Sequence, residues 1–229
     1  MDIFKKEYKL GESLSTAELF WMLQEVSTEH CDKLGFGMDL MGPKGLIWVV
    51  ARHKLQVERY PQANELVRIE TWPAPARHGL FPRHYEMYGA DGQLLLSASA
   101  LWTLVDINTR RMIKPESYGI DVPGILTGRE QGNPKSPEKL PQDRMVEFVV
   151  PESYLDSNGH MNNTRYYSLA EESIGAEIEG KTLCRIATEY AAEALLGDKL
   201  KISIGKQGES YYVTGETDQP IFKMFLEYK

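Results

Sequence analysis

One order of elements occurs twice in the 229 residues, and it is the feature that most limits what the chain can become. A lead-in strand, a helix and then a run of antiparallel strands fills the first hundred residues, and the same order returns after residue 142. In the first copy Ser15-Thr16-Ala17-Glu18 has capping-box spacing, with a hydroxyl at the cap and a glutamate three residues on. Leu19, Met22, Leu23, Val26, His30 and Leu34 follow at helical spacing and make one face, which Gly35 closes. His30 lies on that apolar face and reads as a partly buried structural histidine.

Strands are expected at Leu46–Val57, Glu65–Trp72, Tyr85–Tyr88 and Leu94–Asp106. They are separated by turn chemistry at Tyr60–Asn64 and by the hairpin signal Ala90-Asp91-Gly92. Residues 115–142 hold Pro115, Pro123, Pro134, Pro137 and Pro141 among polar residues and glycines, so they read as a connector. Beyond it, Met145–Val150 is a strand and Tyr166, Tyr167, Leu169, Ala170 and Ile174 are the apolar positions of a helix. Strands are then expected at Arg185–Ala194, Lys199–Ile204, Glu209–Thr214 and Ile221–Tyr228. The turn before Leu66-Val67-Arg68-Ile69 and the turn before Leu200-Lys201-Ile202 match locally. A weak repeat of this length implies two copies of one α+β unit, each a sheet wrapped on a helix.

Composition narrows the function classes. Thirty-three acidic against 26 basic side chains give a net charge of -7, which argues against non-specific nucleic-acid binding. No apolar run reaches the length of a membrane span, and no secretory leader is expected from Met1-Asp2-Ile3-Phe4-Lys5-Lys6. Cys31 and Cys184 lack any ligand or CxxC spacing, so neither a disulfide framework nor a zinc site is expected, and a reducing cytoplasm is the default. GxGxxG, Walker and GxSxG motifs do not occur.

The densest chemistry is Asp156-Ser157-Asn158-Gly159-His160-Met161-Asn162-Asn163, a carboxylate, an amide and an imidazole at alternate positions just before the second helix. Two readings stand for these residues taken alone. Asp-Ser-Asn-Gly is ordinary turn chemistry with Asn162 or Asn163 as a helix cap, or the segment is half of an active site.

The ordered set of motifs resembles the acyl-acyl carrier protein thioesterases of plant plastids and bacteria. In the first half the likeness rests on Leu46-Ile47-Trp48-Val49-Val50, Arg59-Tyr60-Pro61, Glu70-Thr71-Trp72, Ala98-Ser99-Ala100-Leu101-Trp102 and Asn108-Thr109-Arg110-Arg111. In the second half it rests on Asp156-x-Asn158-x-His160-x-Asn162-Asn163 and Glu189-Tyr190-Ala191-Ala192-Glu193. The resemblance implies an α+β tandem (double) hot-dog fold. Its parts would be an N-terminal hot-dog over 1–114 with the acyl pocket, a linker over 115–142, and a catalytic C-terminal hot-dog over 143–229. It also implies hydrolysis of fatty acyl-acyl carrier protein in fatty acid biosynthesis, with Asp156, Asn158, His160 and Glu193 as the catalytic set. Leu46 and Trp48 would line the acyl tunnel, and no metal or organic cofactor would be required. After the glutamate, plant members carry a cysteine; here the residue is Ala194. An activated water is therefore the expected nucleophile, and Cys184, ten residues too early, an inert thiol.

The resemblance further implies acyl carrier protein as partner, and Arg77, Arg83, Arg110, Arg111 and Lys114 offer a basic surface for it. Scattered solvated charges are the equal alternative for each. Hot-dog sheets often pair edge to edge, so a homodimer is an expectation. Competing readings are an acyl-CoA thioesterase, a hot-dog dehydratase, or an acyl-binding protein without activity.

Overall fold

The structure is a computed structural model that describes residues 2–156 and 158–229; Met1 and Ser157, the second residue of the polar segment, lie outside the described residues. The first half builds β1 (Phe4–Lys9), α1 (Thr16–Lys33), the single turn α2 (Met38–Met41), β2 (Leu46–Val57), β3 (Leu66–Pro73), β4 (Leu80–Gly89) and β5 (Leu94–Asp106). The second builds β6 (Arg144–Val149), α3 (Arg165–Ile174), β7 (Leu183–Tyr190), β8 (Lys199–Gln207), β9 (Ser210–Glu216) and β10 (Pro220–Tyr228).

All ten strands belong to one antiparallel sheet in the order β1-β3-β4-β5-β2-β7-β10-β9-β8-β6. Read inward from either edge, each half has its first, third, fourth, fifth and second strand in that order. The repeat seen in the sequence is thus a topological repeat, and the arrangement is the expected tandem hot-dog. Its seam is β2 against β7, paired from Arg52↔Glu189 to Gln56↔Arg185, with an Arg52–Glu189 ion pair of 2.9 Å across it.

Helix α1 forms where its cap predicts. Glu18 N–H donates to the Ser15 hydroxyl at 3.2 Å, and the Glu18 carboxylate accepts from Ser15 N–H at 2.7 Å. Its buried stripe includes Leu19, Phe20, Met22, Leu23, Val26 and His30. Each large apolar side chain in such a stripe contributes about 1.5–3 kcal/mol on burial. The two helices meet on one face of the sheet. There Phe20 stacks on Tyr167 with centroids 3.8 Å apart, and the Thr16 hydroxyl donates to Glu171 at 2.6 Å. The opposite face of the first half is strapped by the connector, whose Arg129 bridges Glu70 and Glu86 and whose Gly132 carbonyl accepts from Ser99.

That double cover explains one difference from the sequence pattern. Strand β4 begins at Leu80 rather than Tyr85, and Phe81 through Met87 are all buried. A strand covered on both faces loses the alternation that marks a half-exposed one. It also corrects the reading of Arg83 as surface charge. Arg83 is 6% exposed and points to α1, with Nη1 3.1 Å from His30 Nδ1 and 3.3 Å from the Thr71 hydroxyl.

Beneath the helices runs a buried polar chain. His53 Nδ1 lies 3.0 Å from the Tyr167 hydroxyl, and the Tyr190 hydroxyl lies 3.1 Å from Tyr167 and 3.2 Å from the Asn163 carbonyl. Burial pushes the His53 imidazole down to about 3, and burial followed by the Arg83 charge pushes His30 down to about 4. Both are neutral in the folded chain, while an unfolded histidine takes up a proton below about 6.5. Stability present above that pH is therefore lost as pH falls. Each imidazole is expected to cost about 1.4 kcal/mol of folding stability between pH 7.5 and 5.5. Urea unfolding at the two pH values measures the fall, and His53→Gln should remove its own share.

Candidate active site

The polar segment is a loop whose backbone is held by its own first carboxylate. Asp156 Oδ1 accepts from Asn158 N–H at 2.8 Å and from His160 N–H at 3.3 Å, and Asp156 N–H donates to the His160 carbonyl at 2.8 Å. Gly159 sits at φ +79°, where a side chain is disfavoured, and lets the chain reverse between the amide and the imidazole. Asp156 thus reaches the backbone of His160 and, with Oδ2, the Asn158 amide at 3.5 Å. The alternation in the sequence records an Asx turn as well as a set of reactive groups.

The far side of the loop is pinned to the segment that follows β7. Met161 N–H donates to the Ala194 carbonyl at 2.8 Å, and His160 forms an isolated antiparallel bridge with Leu195. Here a second expectation is corrected. The strand expected to run to Ala194 ends at Tyr190, because Ala191 and Ala192 N–H both turn to the Ile221 carbonyl, at 2.8 and 3.2 Å. Glu193 therefore lies on an irregular stretch, and its Oε2 comes within 3.6 Å of His160 Nε2. Ala194 itself is fully buried against the loop.

The segment also enters α3 differently from the expected asparagine cap. The N-cap is Thr164, and it makes no side-chain cap bond. Asn162 Oδ1, two residues before that cap, instead accepts from Thr164 N–H at 2.9 Å and from its hydroxyl at 2.8 Å, so it bonds the N-cap residue and not the first turn of the helix.

So His160 and Glu193 come together from segments more than thirty residues apart, with Asp156 and Asn158 in the same loop. A fifth group joins them that motif reading assigned to a docking surface. Arg110 reaches over from the first half, with Nη2 2.9 Å from His160 Nε2 and donating to Glu193 Oε2. The tripeptide Thr109-Arg110-Arg111 was visible in the sequence, but nothing local distinguishes an arginine aimed at a site from one in water.

Leu46 is fully buried with Met41, Phe81, Leu104 and Ile120. Trp48 is partly buried, edge-on to Phe81 at 4.9 Å, and donates from Nε1 to the Phe36 carbonyl at 2.8 Å. Both belong to the end of β2 that pairs with the last residues of β5, where Leu46 opposes Asp106. That is the end from which Arg110 departs. The thiols lie elsewhere. Cys31 is in α1, where burial pushes it up to about 11, and Cys184 is at the start of β7, roughly 20 Å along the strand from Tyr190. No helix of the described residues is long and apolar enough to cross a membrane.

The chain matches the family model of the acyl-ACP thioesterase N-terminal domain over residues 1–117 and that of the C-terminal domain over 137–221. Among curated proteins it is 30% identical over 206 residues to the chloroplastic palmitoyl-acyl carrier protein thioesterase of Gossypium hirsutum. It is 28% identical over 207 residues to that of Cuphea hookeriana. Each alignment covers 82% of this chain and 50% of the relative, so the chain spans about half the length of the curated relatives it matches. Among solved structures, an acyl-ACP thioesterase from Bacteroides thetaiotaomicron superposes with a TM-score of 0.82 at 19% identity, covering 99% of this chain and 98% of that one. The 12:0-ACP thioesterase from Umbellularia californica gives 0.81 at 23%, covering 99% and 97%. The structural likeness carries the fold, and the family models together span most of the sequence: the chain belongs to the acyl-ACP thioesterase family.

Proposed function

We propose that this protein hydrolyses the thioester that joins a fatty acyl chain to acyl carrier protein, releasing free fatty acid and ending chain elongation. The observation that carries the reading is the meeting of His160 and Glu193, 3.6 Å apart, beside the Asp156–Asn158 turn in a chain of this family. Water attacks the thioester carbonyl, the carbon–sulfur bond breaks, and the proton taken from water ends on the departing thiol. Glu193 and His160 orient the water and handle that proton, a role in which a positioned side chain supplies about 10²–10⁴-fold. Asn158 is exposed, and its amide, 3.5 Å from Asp156 Oδ2, is proposed to hold the water or to donate to the developing oxyanion. Asp156 shapes the loop that presents the other two.

The rest of the reading follows the two halves. Residues 1–114 would hold the acyl chain against Leu46 and Trp48, residues 115–142 would link, and residues 143–229 would carry the catalytic set. The partner is a carrier protein bearing a phosphopantetheine arm, and Arg77, Arg111 and Lys114 are the basic residues proposed to meet it. A cytoplasmic location is supported by the two free thiols. Homodimer formation through a free sheet edge, β1 or β6, is read by sedimentation equilibrium.

Hydrolysis of an acyl-carrier-protein panel, with acyl-CoA in parallel, tests the activity and the carrier. Loss of all turnover on both would sink the reading, and turnover on CoA alone would replace the carrier. His160→Ala and Glu193→Ala are each expected to lower kcat by about 10²-fold or more, and Cys184→Ala to stay within about twofold. An inactive but folded Cys184→Ala protein would reinstate a thiol mechanism. Single-turnover hydrolysis in oxygen-18 water should label the fatty acid alone. Label in a protein carboxylate would instead reveal an acyl anhydride on the enzyme.

A further inference from the structure

We infer that Arg110, which the first half supplies, is a positioning residue that holds His160 and Glu193 in register with each other. This rests on the thioesterase reading of the site. The imidazole and the carboxylate are 3.6 Å apart, too far for a direct hydrogen bond. What they share is one guanidinium nitrogen: Arg110 Nη2 lies 2.9 Å from His160 Nε2 and donates to Glu193 Oε2. The same nitrogen lies 3.4 Å from His160 Nδ1, so the guanidinium rests against the ring and contacts both of its nitrogens. One cation therefore fixes where the ring and the carboxylate stand relative to each other.

The backbone around Arg110 is built for this aim. Arg110 sits at φ +55°, a left-handed conformation uncommon for a side-chain-bearing residue. The turn is locked by Asp106, whose Oδ1 accepts from Asn108 and Thr109 N–H at 3.0 and 2.7 Å and whose carbonyl accepts from Arg110 N–H at 2.9 Å. Ile107 N–H is tied to the Gly45 carbonyl at 2.9 Å, so the turn is anchored to the start of β2. Backbone strain held in place by this many bonds is characteristic of residues that a site requires. The neighbouring cations differ. Among the described residues, neither Arg111 nor Lys114 has a carboxylate within 4 Å, whereas the charge of Arg110 is engaged by Glu193.

The test compares Arg110→Ala and Arg110→Lys with the parent on an acyl-carrier-protein thioester and on a short acyl-pantetheine thioester that lacks the carrier. Arg110→Ala should lower kcat about tenfold to a hundredfold on both substrates with KM within about threefold, as expected for misplaced catalytic groups. Millimolar guanidinium should restore part of that loss, and Arg110→Lys should retain part of it. A rise in KM confined to the carrier-bound substrate, with kcat unchanged, would make Arg110 a docking residue and overturn the inference. An unchanged or raised kcat on both would overturn it too. If the parent hydrolyses neither substrate, the thioesterase reading fails and Arg110 is still tested by ¹⁵N NMR of the His160 ring. Arg110→Ala should shift the His160 ring-nitrogen resonances away from those of the parent while retaining the parent's circular dichroism. A His160 spectrum indifferent to Arg110 would end the proposal.

Discussion

The pairing of β2 with β7 is the interaction on which the rest of this structure depends. Five residues of each strand join the two halves into one sheet, from Arg52↔Glu189 to Gln56↔Arg185. The ladder bonds there are buried under α1 and α3, so slipping the register by one residue would turn His53 and Leu55 out of the core. The register also fixes what stands beyond the seam. β2 continues past the end of β7 toward Leu46, and the β5 turn with Arg110 returns at that same end, facing Glu193. A site assembled from both halves follows from a single strand pairing.

Around that seam lies a chain of buried polar groups. His53, Tyr167 and Tyr190 relay hydrogen bonds from the middle of β2 to the Asn163 carbonyl, so the loop that follows His160 is tied to the core. Buried polar groups are tolerated when each finds a partner, and a satisfied chain of this kind rigidifies what it touches. On the opposite face the connector contributes Arg129 to Glu70 and Glu86. The proline-rich stretch, without strands of its own, closes the outer surface of the first half's sheet.

Much of the fold was legible because it is written in local rules. The capping box at Ser15 and the apolar positions of α3 follow from helical spacing. Strands β2 and β5 follow from their composition and the turns that bound them. The repeat of strand, helix and strands already implied two like units. The losses have a common cause. Strand β4 extends beyond the expected Tyr85–Tyr88 because its second face is covered by a segment distant in sequence, and β7 stops short of the expected Ala194 because two amides turn to one carbonyl of β10. Arg83 and Arg110 look alike as letters, yet one lies inside against His30 and the other bridges the candidate catalytic pair.

By itself, then, the sequence determined the two long helices, most strands, the doubling of the unit and the Asp-x-Asn-x-His segment, since capping, alternation and turn chemistry act between residues a few positions apart. Only the tertiary structure decided that Glu193 leaves its strand to approach His160, and that Arg110 reaches both across the seam. Those contacts join residues 33 to 83 positions apart, and their existence rests on strand register and chain reversal, which no local pattern encodes.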